Sequence, residues 1–232
     1  MTLKAEQISK KYFRPTKSAS HFEAVKPLDF ALESGKLVEI TGRSGSGKST
    51  LLYMLAGILK PTAGRVLCDG TDLYSLKDDA LSRFRNKKIG VIPQGQTGLF
   101  ALTVLQNVLA PAALYGDTAA FESRARELLE SVGIADLADA KMSELSGGEM
   151  RRMAIARALI MNPEIIFADE PTDDLDDENT RGVLELLQKT AHGGKSVLLV
   201  THEASAAQYA DEVWRMDAGA LAYCTSSSAP AP

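Results

Sequence analysis

Short apolar runs, some alternating and some continuous, punctuate the chain at residues 3–8, 28–32, 37–40, 65–68, 89–92, 165–168, 196–200 and 212–216. Their length and their glycine- and proline-rich flanks predict β-strands. The runs at 165–168 and 196–200 are almost wholly apolar, the pattern of parallel strands covered by helices on both faces. Helical periodicity is clearest in FESRARELLESVGI, where Phe121, Ala125, Leu128 and Val132 fall on one face. LLYMLAGIL, RRMAIARALI and TRGVLELLQKTA read as further helices. Between roughly 94 and 160 helices and loops occur without a strong strand, which predicts a helical subdomain inserted into an α/β core.

Composition narrows the class without naming a chemistry. The 232 residues suit one domain, or one large domain with an insertion. A net charge of −4 supplies no whole-protein electrostatic attraction for nucleic acid or an anionic membrane. No run approaches the roughly 18 consecutive apolar residues of a membrane span, and MTLKAEQISKKYF lacks the apolar segment of a secretory signal. Cys68 and Cys224 make no disulfide framework or metal spacing, so a reducing cytosol is expected. His21 and His192 read as solvated loop residues.

Chemistry enters at TGRSGSGKST, between the run at 37–40 and the helix-like LLYMLAGIL. It fits G-x-x-x-x-G-K-[ST] through Gly42, Gly47, Lys48 and Ser49, with Gly45 inside. Glycines let the backbone curl so that successive N–H groups face an anion, and the helix start adds its own free N–H groups. Gly42, Ser44, Gly45, Ser46, Gly47, Lys48, Ser49 and Thr50 are therefore expected to hold a nucleotide's phosphates. Lys48 would neutralise the β/γ-phosphates, and Ser49 would ligate Mg²⁺. In EIIFADEP, Asp169 and Glu170 close a buried strand at the edge where ligands of open α/β sheets collect. Asp169 is expected to hold Mg²⁺ and Glu170 to orient or deprotonate water. LSGGE then places Ser146, Gly147, Gly148 and Glu149 at another helix start. One phosphate loop already cradles a nucleotide, so this second anion site is expected to serve the nucleotide of a second copy in a head-to-tail dimer.

Taken in order, TGRSGSGKST, Gln94 in VIPQ, LSGGEMRRMAIARAL, IIFADEPTDDLD and VTHE resemble the nucleotide-binding subunits of ABC transporters, over nearly the whole chain from about Leu3 to Ala222. The resemblance implies a P-loop NTPase fold with a mostly parallel sheet, an N-terminal antiparallel β subdomain and an inserted helical subdomain. It implies a single domain over 1–224 and a tail, 225–232, which its composition marks as disordered. Two copies would sandwich two ATP molecules, with Mg²⁺, and drive an integral membrane permease docked near Gln94 and on to Leu102, at the cytoplasmic face of the membrane. Tyr12, with Phe13 as its rival, would stack on adenine. Gln94 would reach the Mg²⁺ beside Ser49 and Asp169, His202 would contact the γ-phosphate, and Asp176 would lie in the loop crossing the dimer interface. Lys48, Glu170 and His202 would form the catalytic set. YFRPTKSASHFEAV, RFRNKKIGVIPQ and LTVLQNV resemble the branch serving lipoprotein release and macrolide or peptide export. The chain departs from that branch at Pro93, in GQTGLF, and at Asp173 and Asp174, and its signature ends in Glu149 where Gln is commoner. An ABC ATPase that signals across the membrane without transport is the alternative, and one acting on nucleic acid lacks the expected basic extensions.

Overall fold

The computed structural model describes residues 1–14, 20–95, 97–116 and 118–224. The expected tail at 225–232, and part of the connection after Tyr12, lie outside them. In chain order the elements begin with strands β1 (Leu3–Arg14), β2 (Ser20–Leu32) and β3 (Leu37–Thr41), then helix α1 (Lys48–Leu55). Next come β4 (Ala63–Cys68), β5 (Thr71–Asp72), α2 (Asp78–Lys88) and β6 (Ile89–Ile92). Helices α3 (Val104–Tyr115), α4 (Glu122–Ser131) and α5 (Gly147–Leu159) precede β7 (Ile165–Asp169). The chain continues through α6 (Asp177–His192), β8 (Ser196–Thr201), β9 (Glu212–Asp217) and β10 (Ala220–Cys224).

The strands sort into two sheets. The N-terminal one is antiparallel, in the order β2-β1-β4-β5. The other runs β10-β9-β3-β8-β7-β6 and is parallel throughout except for the edge strand β10. Side chains alternate across a strand, and this second sheet uses both faces. Val38, Ile40, Ile165, Phe167, Leu198 and Val200 face a core shared with α1 and the antiparallel sheet. Leu37, Ile166, Ala168, Val197 and Leu199 face a core shared with α3 to α6. Among the described residues no strand lies between β6 and β7; α3, α4 and α5 occupy that interval.

Several expectations needed adjustment. β1 and β2 extend well past the apolar runs at 3–8 and 28–32, because charged residues occupy the outward positions and interstrand hydrogen bonds hold the extensions. β10 escaped notice because it is a five-residue edge strand, joined to β9 through Ala218 and Gly219, both at positive φ. In α4, Leu129 rather than Leu128 is fully buried. Neither His21 nor His192 lies in a loop. His21 belongs to β2, where it packs edge-on against Phe13. His192 is the last residue of α6 and lies 3.2 Å from Asp211.

Candidate functional site

The ends of β3, β7 and β8 point to one edge of the parallel sheet, and the candidate residues gather there. The turn between β3 and α1 has little room for side chains. A Cβ on Gly42 would come within 2.2 Å of the Met216 carbonyl oxygen, and one on Gly47 within 2.2 Å of that of Ala24. Both residues also have positive φ, at 153° and 109°, so close packing and backbone conformation both demand glycine here. The turn curls around the buried Lys48, whose Nζ donates to the carbonyls of Gly42 at 2.8 Å and Arg43 at 3.3 Å.

A cleft of about 610 Å³ opens beside this turn. Tyr12, Ser44, Gly45, Gly47, Lys48, Ser49, Thr50, Gln94, Glu170 and His202 line it, as do Phe22, Ala24 and Arg43, which sequence reasoning missed. Gly42 and Ser46 are not part of the lining: Gly42 lies against the Met216 carbonyl, and the Ser46 carbonyl accepts from the Gly219 N–H at 2.9 Å. Tyr12 faces the cleft, whereas Phe13 packs against His21.

Asp169 is not part of the lining, but Ser49, which is, donates from Oγ to Asp169 Oδ1 at 2.9 Å. The other Asp169 oxygen is buried and makes no hydrogen bond of normal geometry. Burial raises the Asp169 pKa, and the Ser49 and Tyr53 hydroxyls beside it oppose that shift. Glu170 has φ +48°, the left-handed region that costs a non-glycine residue about 1–2 kcal/mol. Such strain concentrates at functional sites. Its Oε2 accepts from the His202 backbone N–H at 3.2 Å and lies 3.0 Å from His202 Nδ1, while Oε1 is 3.8 Å from Lys48 Nζ. The His202 pKa is raised by its hydrogen bond to Glu170 and by Glu170's charge, with smaller contributions from Asp173 and Glu203. Asp173 brings a carboxylate oxygen into the same cluster, within 4.8 Å of Glu170 and His202. Asp174 has φ +66°; its short polar side chain is among the few that tolerate this conformation, which accounts for its presence.

Ser146 to Glu149 are not part of the cleft lining. Ser146 caps α5 at the protein surface, accepting from the Glu149 N–H at 3.3 Å, while the Glu149 carboxylate accepts from the Ser146 N–H at 2.7 Å. This reciprocal box explains why Glu serves where Gln is commoner, since either side chain can accept that bond. Asp176 caps α6 from one side only, its side chain accepting from the Asn179 N–H at 2.8 Å. Asn179 in turn accepts from Arg152 at 2.6 Å. The loop carrying Gln94 is braced from α5, where Arg151 donates to the Pro93 carbonyl at 2.9 Å and Arg157 to that of Thr97 at 2.8 Å. Beyond it, the buried Asn107 accepts from the Leu99 N–H and donates to the Thr103 carbonyl, leaving Leu99 and Phe100 exposed. LTVLQNV contains Asn107 but gave it no role, because its partners are backbone groups of a loop that only the fold defines.

A family model described as ABC transporter matches residues 25–173. The lipoprotein-releasing system ATP-binding protein LolD of Leptospira interrogans is 42% identical over 188 residues, covering 81% of this chain and 79% of that protein. LolD of Bdellovibrio bacteriovorus is 36% identical over 219 residues, covering 94% and 98%. Among solved structures, the dimeric post-hydrolysis state of the ATP-binding cassette MJ0796, bound to ADP and Pi, superposes with a TM-score of 0.88 at 33% identity, over 95% of this chain and 98% of that one.

Proposed function

Because this chain belongs to the ABC transporter family, we propose that it is the ATP-hydrolysing subunit of a lipoprotein-release type transporter, working as a head-to-tail pair around two ATP molecules and driving a separate membrane permease. One observation carries the reading: the cleft collects Lys48, Glu170 and His202 but not Ser146 to Glu149. A second copy is needed to bring that helix start to the nucleotide. The dimeric MJ0796 cassette and the LolD relatives support the pairing and the transport context.

In this reading the Gly45–Thr50 backbone binds the phosphates, and Lys48 turns from its own carbonyls toward them. A Mg²⁺ ion suits the oxygen donors beside the phosphate turn, where Asp169 presents a buried oxygen that makes no hydrogen bond of normal geometry, next to Ser49. Held by Ser49, Asp169 and Gln94, the ion would neutralise phosphate charge. Ser146 and Gly148 of the second copy complete the γ-phosphate site. Glu170 takes a proton from water as the water oxygen bonds to the γ-phosphorus and the bond from that phosphorus to the ADP oxygen breaks. His202 holds the Glu170 carboxylate in place and contacts the γ-phosphate. The exposed Leu99 and Phe100, in the stretch from Gln94 to Leu102, form the surface for the permease. The chain is then peripheral at the cytoplasmic face of the membrane; among the described residues no helix is long and apolar enough to cross it.

Glu170→Gln tests the assignment. Turnover is expected to fall by at least about 100-fold, with an ATP-bound dimer persisting on size-exclusion chromatography. Turnover at the wild-type rate would remove Glu170 from the mechanism.

A further inference from the structure

We infer that Phe22 is a second base-stacking residue, forming with Tyr12 an aromatic platform for the purine ring of the nucleotide. The inference rests on the ATP-binding reading of the cleft and adds to it a residue to which the sequence assigned no role. Tyr12 and Phe22 are direct partners in the β1–β2 register, and directly opposed residues of an antiparallel pair project from the same face with their side chains in reach of each other. Both line the cleft and both are 39% exposed, which leaves apolar surface for a ligand to cover. One side of Tyr12 is already occupied. Lys10, which is not part of the cleft lining, places its Nζ 5.4 Å from the Tyr12 ring centroid and donates to the Lys60 carbonyl at 2.7 Å. The Tyr12 surface left for a base is therefore on the cleft side, where Phe22 adjoins it. Ala24, two residues further along β2, also lines the cleft, and its small side chain leaves room between the aromatic pair and the phosphate turn.

Base–aromatic stacking is worth about 1–3 kcal/mol per base, or roughly 5- to 150-fold in affinity. Phe22→Ala is therefore expected to weaken ATP binding by about 5-fold or more, raising KM while kcat under saturating ATP stays within about twofold of wild type. Tripolyphosphate, which has no base, should bind wild type and variant alike, and Phe22→Tyr should restore the wild-type KM. A second reading comes from Phe22→Trp, whose added indole emission should be quenched by ATP but not by tripolyphosphate. Equal ATP affinity in wild type and Phe22→Ala, or equal losses for ATP and tripolyphosphate, would overturn the platform while leaving the ATP site intact. Failure of the wild-type protein to bind ATP would overturn both.

Discussion

Glu39 lies in the middle of β3 at 1% exposure, on the face it shares with Leu37 and, across the register, Leu199. Its Oε2 has no hydrogen-bond partner, and burial pushes its carboxyl up from 4.5 to about 7. An acid raised in this way contributes stability that is complete below its unfolded value near 4.5 and is lost as pH climbs through about 7. The interval corresponds to on the order of 3 kcal/mol. Glu39→Gln is thus expected to melt above the wild type at pH 8 and close to it at pH 5. Thermal melts at both pH values check this, and an advantage that does not grow with pH would refute it. The letters LVEIT suggested a strand but not the burial of its glutamate. A charged residue in a strand normally faces solvent, and in this strand both faces are covered. Lys48, Ser49, Asp169 and Glu170 were legible for the opposite reason: their neighbourhood is set by local backbone conformation, which glycine spacing and strand ends encode directly. Phe22 was not, because its partner Tyr12 meets it only through strand pairing.

At the scale of elements, the loop after β6 depends on one side chain of α3. Asn107 is fully buried, and four of its hydrogen bonds go to Leu99, Leu102 and Thr103. Truncation to alanine would leave those backbone groups without their partner, at about 1–3 kcal/mol for each buried group that water cannot reach. Asn107→Ala is expected to lower the urea midpoint and to speed amide exchange at Leu99 and Leu102 while β7 and β8 keep their protection. Uniform exchange across the molecule would show instead that the loop is not held separately. The parallel strands and the amphipathic α6 were readable from apolar continuity and helical period. The full lengths of β1 and β2 and the existence of β10 were not, since edge and hairpin strands draw their hydrogen bonds from partners distant in sequence or carry few apolar residues.

For the whole molecule, the separation of Ser146 from the cleft makes a statement about stoichiometry. Lys48→Ala and Ser146→Arg should each be nearly inactive alone. In a mixed pair, one site carries both lesions and the other carries none, so mixing the two variants is expected to recover ATP hydrolysis. No recovery on mixing, with heterodimers shown to form, would mean that each chain works alone. The proposed pairing is legible in sequence only as a surplus: two phosphate-grade helix starts in one chain, and one nucleotide to hold. The contacts that would couple the two become visible only in three dimensions. The arginine ties from α5 to Pro93 and Thr97 fasten the Gln94 loop to the very helix that Ser146 begins. In the proposed pair, a push on Phe100 would pass through these ties into α5, so that one lever would have its two arms at different nucleotides.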